Sequence, residues 1–232
     1  MDIPHPDQVV VSARRVGKKF HTQAGELKLF EQLDLEVSRG ESVAIIGPSG
    51  AGKSTLLSLL AGLDQPSSGE IRLSGHDLAQ LSESDRALLR SRSVSFVFQS
   101  FHLLPELSAL DNVCLPLDIR GDRNAADTAR QWLERVGLSD RADHLPAQLS
   151  GGEQQRVAIA RAFATGPEIL FADEPTGNLD SDTGAGIVDQ LFALNAQQGT
   201  TLILITHDAQ LADRCSRRLR LRQGQLQEVQ PA

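Results

Sequence analysis

The amino-acid sequence predicts an α/β protein whose strands form a parallel sheet, and two observations lead to this class. Short apolar runs typical of strands alternate along the chain with segments in which apolar residues recur at helical spacing. In addition, the apolar run 43–46 leads directly into a glycine-rich loop, and helical spacing follows from Ser54 to Leu60. A strand, a glycine-rich turn and a helix in this order are typical of a parallel α/β unit.

The strands are predicted from short apolar or alternating runs. Leu33–Val37 alternates apolar and polar side chains, which is typical of a half-buried strand. Val43–Ile46 is continuously apolar and is followed at once by glycine, which is typical of a buried parallel strand. The same arguments predict strands at Val9–Val11, Gly69–Leu73, Val94–Phe98, Ile169–Ala172 and Thr201–Ile205.

Helices are predicted where apolar residues recur at helical spacing. Besides 54–60, this holds from about Ser108 to Gly137, with Gly137 as a candidate C-cap, and from Glu153 to Ala164. No internal repeat, low-complexity block or long linker divides the chain. The sequence therefore predicts a single domain over residues 8–229, with a helical subdomain at roughly residues 85–165.

The composition is that of a globular protein and argues against nucleic acid as a partner. Of the 232 residues 40% are hydrophobic and 23% are charged, and the formal net charge is −7. Because phosphate binding needs a clustered basic surface, an acidic chain is a poor match for nucleic acid. The basic clusters at 14–19 and 214–222 are therefore interpreted as solvated strand and turn surfaces.

The sequence also bears on the compartment of the chain. No apolar run approaches the roughly 18 residues that cross a bilayer, and Met1–Pro6 lacks the pattern of a signal peptide. Cys114 and Cys215 have no metal-ligand spacing and are predicted to be buried free thiols of a reducing compartment. A cytoplasmic chain is the resulting expectation, and it would serve a membrane from outside the lipid.

The glycine-rich loop has the composition of a phosphate-binding site. It consists of Gly47, Pro48, Ser49, Gly50, Ala51, Gly52, Lys53, Ser54 and Thr55. Glycines let backbone N–H groups surround phosphate oxygens, and the N-terminus of the following helix favours an anion. Lys53 adds a cationic contact to the outer phosphates, and the Ser54 hydroxyl suits Mg²⁺. The loop therefore predicts a site for the phosphates of a nucleotide together with Mg²⁺, and by itself it leaves many classes of nucleotide enzyme open.

Two neighbouring carboxylates follow a predicted buried strand. Asp173 ends this strand, where a carboxylate is unfavourable unless it is paired or holds a cation, so Mg²⁺ is its predicted partner. Glu174 has no such metal role and is placed to act as general base on the attacking water. An isolated acidic pair at a strand end is often only solvated, and the segment that follows, 175–180, argues against that alternative.

A second motif decides which nucleotide enzymes the chain resembles. The octapeptide Leu149–Arg156, with the sequence LSGGEQQR, lies between the phosphate loop and the acidic pair, and Pro175–Asp180 reads PTGNLD. In this combination the chain resembles the ATP-binding-cassette (ABC) ATPases over essentially its whole length. The resemblance implies a P-loop NTPase fold of the ABC type, with a RecA-like core, an antiparallel β subdomain and a helical subdomain.

The resemblance implies a working unit of two chains. Ser150, Gly151 and Gly152 would contact the γ-phosphate of ATP held by a second copy, because a serine hydroxyl and glycine N–H groups at a helix N-terminus form an anion site. A head-to-tail dimer would then hold two ATP molecules at its interface. Asp180 resembles the residue that links the two sites across this interface.

Three further residues take their predicted roles from the family register. Gln99 matches the glutamine that contacts Mg²⁺ and senses the γ-phosphate, and His207 matches the histidine that bonds the γ-phosphate and positions the attacking water. Phe20 occupies the place of the aromatic residue that stacks on adenine, although it could equally belong to the core.

Other segments resemble one branch of the family, the lipoprotein-release and macrolide-export (LolD/MacB-like) group. They are PTGNLD, the polar insert 21–28 and the segment 62–69. Within this group the chain is most similar to YbbA-like ATPases, with the lipoprotein-release ATPase as the alternative. The resemblance implies a peripheral subunit at the cytoplasmic face of the inner membrane that drives a separate permease by export, extraction or mechanical transmission.

The apolar stretch Phe98–Pro105, which follows the strand at Val94–Phe98, gives a separate hypothesis. We expect it to dock a cytoplasmic helix of the permease, and ordinary core packing is the alternative.

Two other functions stay open at this point. A soluble ABC ATPase acting on DNA or ribosomes would have no membrane partner, and a P-loop kinase would leave LSGGEQQR unexplained. The sequence does not indicate the transported cargo, because in this family the membrane subunit, a different chain, mainly determines it.

Overall fold

The computed structural model describes residues 8–22 and 25–229. The predictions made for Met1–Pro6 and for residues 23 and 24 of the polar insert lie outside this range. Contacts between Cα atoms divide the chain into two compact units, of which the first ends at Val94 and resumes at Thr201, and the second is Ser95–Thr200. The predicted helical subdomain at 85–165 overlaps both units, and the single-domain organisation over 8–229 stays a prediction.

The secondary structure of the described residues alternates strands and helices. The strands are β1 (Val9–Thr22), β2 (Gly25–Ser38), β3 (Ser42–Ile46), β4 (Ser68–Leu73), β5 (His76–Asp77), β6 (Val94–Phe98), β7 (Ile169–Asp173), β8 (Thr201–Ile205), β9 (Arg217–Arg222) and β10 (Gln225–Glu228). The helices are α1 (Lys53–Leu60), α2 (Glu83–Ser93), α3 (Ala109–Ile119), α4 (Ala125–Arg135), α5 (Gly151–Ala164), α6 (Ser181–Gln198) and α7 (Ala209–Ala212).

An antiparallel sheet forms part of the first unit, with the strand order β2-β1-β4-β5. The alternation predicted for 33–37 is observed, because Leu33, Leu35 and Val37 are buried while the residues between them are exposed. Both β1 and β2 are much longer than predicted, and β1 carries register shifts in its pairing with β2. This sheet is the antiparallel β subdomain that the family resemblance implied.

The first unit also contains the neighbouring strands β10-β9-β3-β8, in which β9, β3 and β8 are parallel and β10 pairs antiparallel with β9. Strand β3 pairs in parallel with β8 on one side and with β9 on the other. Val43, Ala44 and Ile45 are fully buried, which confirms the buried parallel strand predicted from their apolar run. Strand β9 places Leu219 and Leu221 in the core and leaves Arg220 and Arg222 exposed. The Arg218 side chain is only 12% exposed because it pairs with Asp213, so it does not fit the interpretation of this cluster as solvated.

The second unit holds α3–α6 and the neighbouring strands β6 and β7. The helical segment predicted at 108–137 is two helices, because the chain turns at Gly121, whose φ is +75°. Gly137, at φ +73°, ends α4 as predicted, and the Leu138 N–H donates to the Leu133 carbonyl at 2.8 Å. In the core of this unit, Trp132 stacks on Phe163 with ring centroids 5.8 Å apart.

Both cysteines are free and buried, as the sequence predicted. Burial raises the pKa of the Cys215 thiol to about 12 and also raises the pKa of the Cys114 thiol. Neither thiol therefore has the low pKa of a reactive cysteine.

None of the helices within residues 8–22 and 25–229 combines the length and the hydropathy of a membrane-spanning segment.

Candidate active site

The glycine-rich loop connects β3 to α1 in the first unit. Gly50 and Gly52 have φ angles of +77° and +93°, a region that favours glycine, and a β-carbon at Gly50 would meet nothing within 4 Å. Gly52 is the N-cap residue of helix α1, and no side chain makes a capping hydrogen bond there. The N–H groups of its first turn therefore have no capping side chain, and a phosphate would supply the missing acceptor.

Lys53 lies over the loop from which α1 emerges. Its Nζ donates hydrogen bonds to the Gly47 carbonyl at 2.9 Å and to the Pro48 carbonyl at 3.1 Å. Bound in this way, the ammonium group lies beside the loop that would surround phosphate oxygens. The loop glycines also have packing roles, because a β-carbon would lie 2.7 Å from the Leu221 carbonyl oxygen at Gly47 and 2.8 Å from Leu29 Cδ2 at Gly52.

His207 lies at the same edge of the parallel sheet as the glycine-rich loop. Ile45 is aligned with Ile205 in the β3–β8 pairing, and the Thr206 N–H donates to the Ile45 carbonyl at 3.3 Å. The loop and His207 therefore follow the carboxyl ends of adjacent parallel strands, which is where ligands bind in open α/β sheets. Within the first unit, the glycine-rich loop and His207 thus lie at the same edge of the sheet, as their predicted roles require.

Phe20 lies on β1 and is 38% exposed, so it does not belong to the buried core. The Lys18 ammonium lies 5.1 Å from the centroid of its ring and is itself paired with Asp64 at 2.7 Å. The Lys18 ammonium thus lies over one face of the Phe20 ring. Stacking of this ring on adenine stays a prediction.

In the second unit, Glu174 follows Asp173, which is the last residue of β7. Its φ is +48°, in the left-handed region that non-glycine residues rarely adopt and that is enriched at functional sites. The turn that holds it closes with a hydrogen bond from the Gly177 N–H to the Glu174 carbonyl at 3.0 Å. The fully buried Gln155 of α5 donates from Nε2 to the Pro175 carbonyl, which fixes the next residue.

Gln99 is held by the segment PTGNLD. Its side-chain Nε2 donates to Asn178 Oδ1 at 2.9 Å, and Asn178 Nδ2 donates back to the Gln99 carbonyl at 3.0 Å. A β-carbon at Gly177 would lie 2.7 Å from Gln99 Nε2, so the glutamine side chain passes directly over this glycine. The structure therefore joins the predicted γ-phosphate sensor to the turn that follows Glu174.

The octapeptide LSGGEQQR forms the N-terminus of α5. Ser150 is the N-cap, and its hydroxyl donates to Glu153 Oε2 at 2.8 Å while accepting from the Glu153 N–H at 3.3 Å. The hydrogen bonds from the Ser150 N–H and hydroxyl, with a smaller contribution from Arg141, lower the pKa of the Glu153 carboxyl. The predicted anion site therefore coincides with a capping box.

The start of α6 lies beside this N-terminus. A β-carbon at Gly152 would lie 2.5 Å from Thr183 Cγ2, and one at Gly151 would lie 3.3 Å from Leu179 Cδ2. Asp180 is the N-cap of α6, and its Oδ1 accepts the Thr183 N–H at 3.0 Å, which lowers the pKa of its carboxyl. The structure thus brings Ser150, Gly151, Gly152 and Asp180 into one region of the second unit.

Sequence reasoning missed Arg161, which extends from α5 to the loop after Gln99. Its guanidinium donates to the Phe101 carbonyl at 2.8 Å and to the His102 carbonyl at 2.6 Å, and burial lowers its pKa. Phe101 and His102 are consecutive residues with φ angles of +58° and +50°. An arginine within the apolar sequence Val157–Phe163 was the available signal, because a buried arginine requires acceptors.

The predicted magnesium ligands have the donor chemistry that Mg²⁺ prefers. Ser54 offers a hydroxyl, Gln99 an amide oxygen and Asp173 a carboxylate, and all three are oxygen donors. Ser54 belongs to the first unit and the other two to the second. Among the described residues, no group of three or more His, Cys, Asp or Glu side chains could hold a metal ion. The magnesium site stays a prediction.

Comparison with known proteins decides the family of the chain. The family model described as "ABC transporter" matches residues 30–177, which include the glycine-rich loop, the octapeptide and the acidic pair. The chain belongs to the ABC transporter family. This ABC protein is accordingly an ATP-binding ATPase, as the resemblance implied, and the alternative of a P-loop kinase is wrong.

Individual relatives resemble the ABC protein over nearly its whole length. It is 55% identical to the ABC transporter ATP-binding protein YbbA of Escherichia coli K12, over 96% of this chain and 99% of the relative. It is 48% identical to the lipoprotein-releasing system ATP-binding protein LolD of Xanthomonas campestris pv. campestris strain 8004, over 96% of this chain and 94% of the relative.

Solved structures show the same fold. A dimeric post-hydrolysis state of the ATP-binding cassette MJ0796, bound to ADP and Pi, superposes with a TM-score of 0.87. That chain is 37% identical, and the match covers 95% of the ABC protein and 98% of MJ0796. The predicted α/β fold of the ABC nucleotide-binding type is thereby confirmed.

Proposed function

We propose that the ABC protein is the ATP-hydrolysing subunit of a transporter complex, and that two copies associate head-to-tail on two Mg·ATP to drive a separate inner-membrane permease. The observation that supports the proposal is a pair of unlike helix N-termini on one chain, each of which would suit a phosphate. The first unit holds the uncapped glycine loop before α1, and the second holds the Ser150 cap of α5. MJ0796, which has the same fold, is described as a dimer bound to ADP and Pi.

The residues of the first unit would hold the nucleotide. Phe20 would stack on adenine, and the loop N–H groups and Lys53 would bind the phosphates. Lys53 already lies beside the loop through its bonds to Gly47 and Pro48. The proposed ligands of Mg²⁺ are the Ser54 hydroxyl of this unit and, from the second unit, Gln99 Oε1 and Asp173. The ion would neutralise phosphate charge when it is bound.

The residues around the γ-phosphate would promote attack by water. Glu174 would accept a proton from that water, and His207 would hold the water and the γ-phosphate in place. The water oxygen would bond to the γ-phosphorus while the bond from this phosphorus to the β–γ bridging oxygen breaks, which gives ADP and inorganic phosphate. The left-handed backbone conformation of Glu174 and the bond from Gln155 to the Pro175 carbonyl constrain the backbone of the turn that carries this carboxylate. Ser150 and its glycines would bind the γ-phosphate held by the partner copy.

The segment Phe98–Pro105 is the surface that we assign to the permease. Phe98 stacks on His102 with centroids 4.6 Å apart, and Leu104 is 43% exposed. The loop is held by Arg161 and by Asn112 of α3, whose side chain bonds both the N–H and the carbonyl of Leu104. A partly exposed apolar loop with a fixed backbone suits an amphipathic helix of a membrane subunit as its occupant.

Substitution in this loop tests the permease assignment. We expect Phe101→Ala combined with Leu104→Asp to abolish co-purification of the permease from detergent-solubilised membranes, because both remove apolar contact area. ATP binding by the isolated chain should be unchanged. Leu145→Asp is the matched control, since Leu145 is 42% exposed in the same unit. Permease recovery that is equal for the loop variant and the control would remove this surface from the interface.

The branch of the family sets the location and the alternatives. Identity of 55% to YbbA and of 48% to LolD favours a peripheral subunit at the cytoplasmic face of the inner membrane. A lipoprotein-release ATPase is the second candidate, and it is favoured by the LolD identity. The identity of the permease that co-purifies with the chain distinguishes a YbbA-like ATPase from a lipoprotein-release ATPase. Recovery of soluble or nucleic-acid-bound partners alone would favour a soluble ABC ATPase.

A further inference from the structure

We infer that Asn178 is a positioning residue for Gln99, and that it orients the glutamine amide so that Oε1 is the atom offered to the metal ion. The inference deepens the proposed function, because it rests on Gln99 being a ligand of the Mg²⁺ bound with ATP. It adds a residue of PTGNLD to which the sequence analysis assigned no role of its own.

The hydrogen bonds between the two residues form a directed chain. Asn178 Nδ2 donates to the Gln99 carbonyl oxygen at 3.0 Å, and a carbonyl can only accept. This bond fixes which end of the Asn178 amide is nitrogen, so the other end, Oδ1, is an acceptor. Gln99 Nε2 donates to that oxygen at 2.9 Å. The orientation of one amide therefore determines the orientation of the other.

The consequence concerns the atom of Gln99 that lies outside the pair. A magnesium ion takes oxygen ligands and is repelled by an amide NH₂ group. With Nε2 committed to Asn178, Oε1 is the end of the Gln99 amide left to meet a cation. Rotation of the amide by 180° would place Oε1 against Asn178 Oδ1, two acceptors in contact, and this arrangement is unfavourable.

The backbone next to Asn178 is shaped for the same contact. Gly177 has the Gln99 side chain directly over its α-carbon, since a β-carbon there would lie 2.7 Å from Nε2 and 2.9 Å from Cδ. Any larger residue at 177 would displace the glutamine. Asn178 itself is exposed, and its bonds to Gln99 do not bury it in the core. Its partners thus point to a role at the site rather than to support of the fold.

A double-mutant cycle on Gln99 and Asn178 tests the inference. Gln99→Ala, Asn178→Ala and the double variant are prepared in the Glu174→Gln background, where turnover is slow. The probe is Mn²⁺, whose binding to the protein–ATP complex is followed by electron paramagnetic resonance. The thermal unfolding temperature of each variant shows that it is folded, and ATP binding without metal serves as the reference.

We expect Asn178→Ala to weaken Mn²⁺ binding by about two- to ten-fold, the effect of one hydrogen bond, and to have no further effect when Gln99 is already alanine. Additive losses in the double variant, or unchanged Mn²⁺ binding in Asn178→Ala alone, would overturn the positioning role while leaving Gln99 as a ligand. If Gln99→Ala itself leaves Mn²⁺ binding unchanged, the metal role in the proposed function fails, and the inference fails with it.

Side-chain NMR gives a second test that does not depend on a metal. The Gln99 Nε2 proton that is bonded to Asn178 Oδ1 should exchange with solvent more slowly than a solvated amide proton in the parent protein. Asn178→Ala should accelerate this exchange to the rate of a solvated amide. Equal exchange rates in the two proteins would show that the pair does not hold the glutamine in solution.

Discussion

Replacement of Glu174 by glutamine is expected to reduce ATP hydrolysis by at least about 10²-fold, within the 10²–10⁴-fold range of a general base. The substitution retains the size of the side chain and removes the group that accepts a proton. Because the turn at Glu174 is held by the Gly177 N–H and by Gln155, the fold of the site should be preserved. ATP binding should remain, so the ATP-bound state should accumulate.

Phosphate release under saturating Mg·ATP measures this effect, with binding of a fluorescent ATP analogue as the parallel readout. Glu134→Gln is the matched control, because Glu134 is an exposed glutamate on α4 of the same unit. The control should hydrolyse ATP at the parent rate. Turnover by Glu174→Gln at a rate near that of the control would show that another group activates the water.

Replacement of Lys53 by alanine is expected to act one step earlier, on nucleotide binding itself. The ammonium group would make charge-assisted hydrogen bonds to the outer phosphates, and loss of two such bonds weakens binding by about 10²-fold or more. In the structure its Nζ donates to the carbonyls of Gly47 and Pro48, and Lys53 is not part of the buried core. The fold should therefore tolerate the change.

The dissociation constant of ATP, measured by isothermal titration calorimetry, checks this expectation. Lys19→Ala is the control, because Lys19 is a lysine of β1 whose ion pair with Glu26 lies at the surface. Its affinity for ATP should equal that of the parent protein. An unchanged ATP affinity in Lys53→Ala, with hydrolysis alone reduced, would move Lys53 from nucleotide binding to the chemical step.

The strands that flank the site could be predicted because their apolar runs are short and are bounded by turn residues, which favours a buried strand over a helix. Val43–Ile46 is apolar throughout and ends in glycine, so a buried strand followed by a tight turn is the simple outcome. Strands β6 and β8 have the predicted bounds for the same reason. Family motifs supplied the remaining site residues, and their positions at strand ends and helix N-termini follow from the local sequence.

Other features depend on contacts between residues far apart in the chain. Strands β1 and β2 extend over 14 residues each because they pair with one another, and their polar ends have no strand pattern of their own. The break between α3 and α4 depends on one left-handed glycine within a long periodic segment. The bonds of Arg161 to Phe101 and of Asn178 to Gln99 join residues 60 and 79 positions apart, and no local pattern identifies these partners, although the apolar surroundings of Arg161 indicate that it needs acceptors.

The central claim is that Ser150 binds a nucleotide held by a second copy of the chain. The most direct measurement is the molar mass by light scattering, together with the amount of bound ATP, for Glu174→Gln with and without Ser150→Arg in Mg·ATP. We predict that Glu174→Gln is a dimer, and that the Ser150→Arg double variant is a monomer that retains ATP. Ser139→Arg, at another exposed serine of the same unit, should leave the dimer intact. A double variant that still dimerises, or a monomer that loses ATP, would contradict the head-to-tail account.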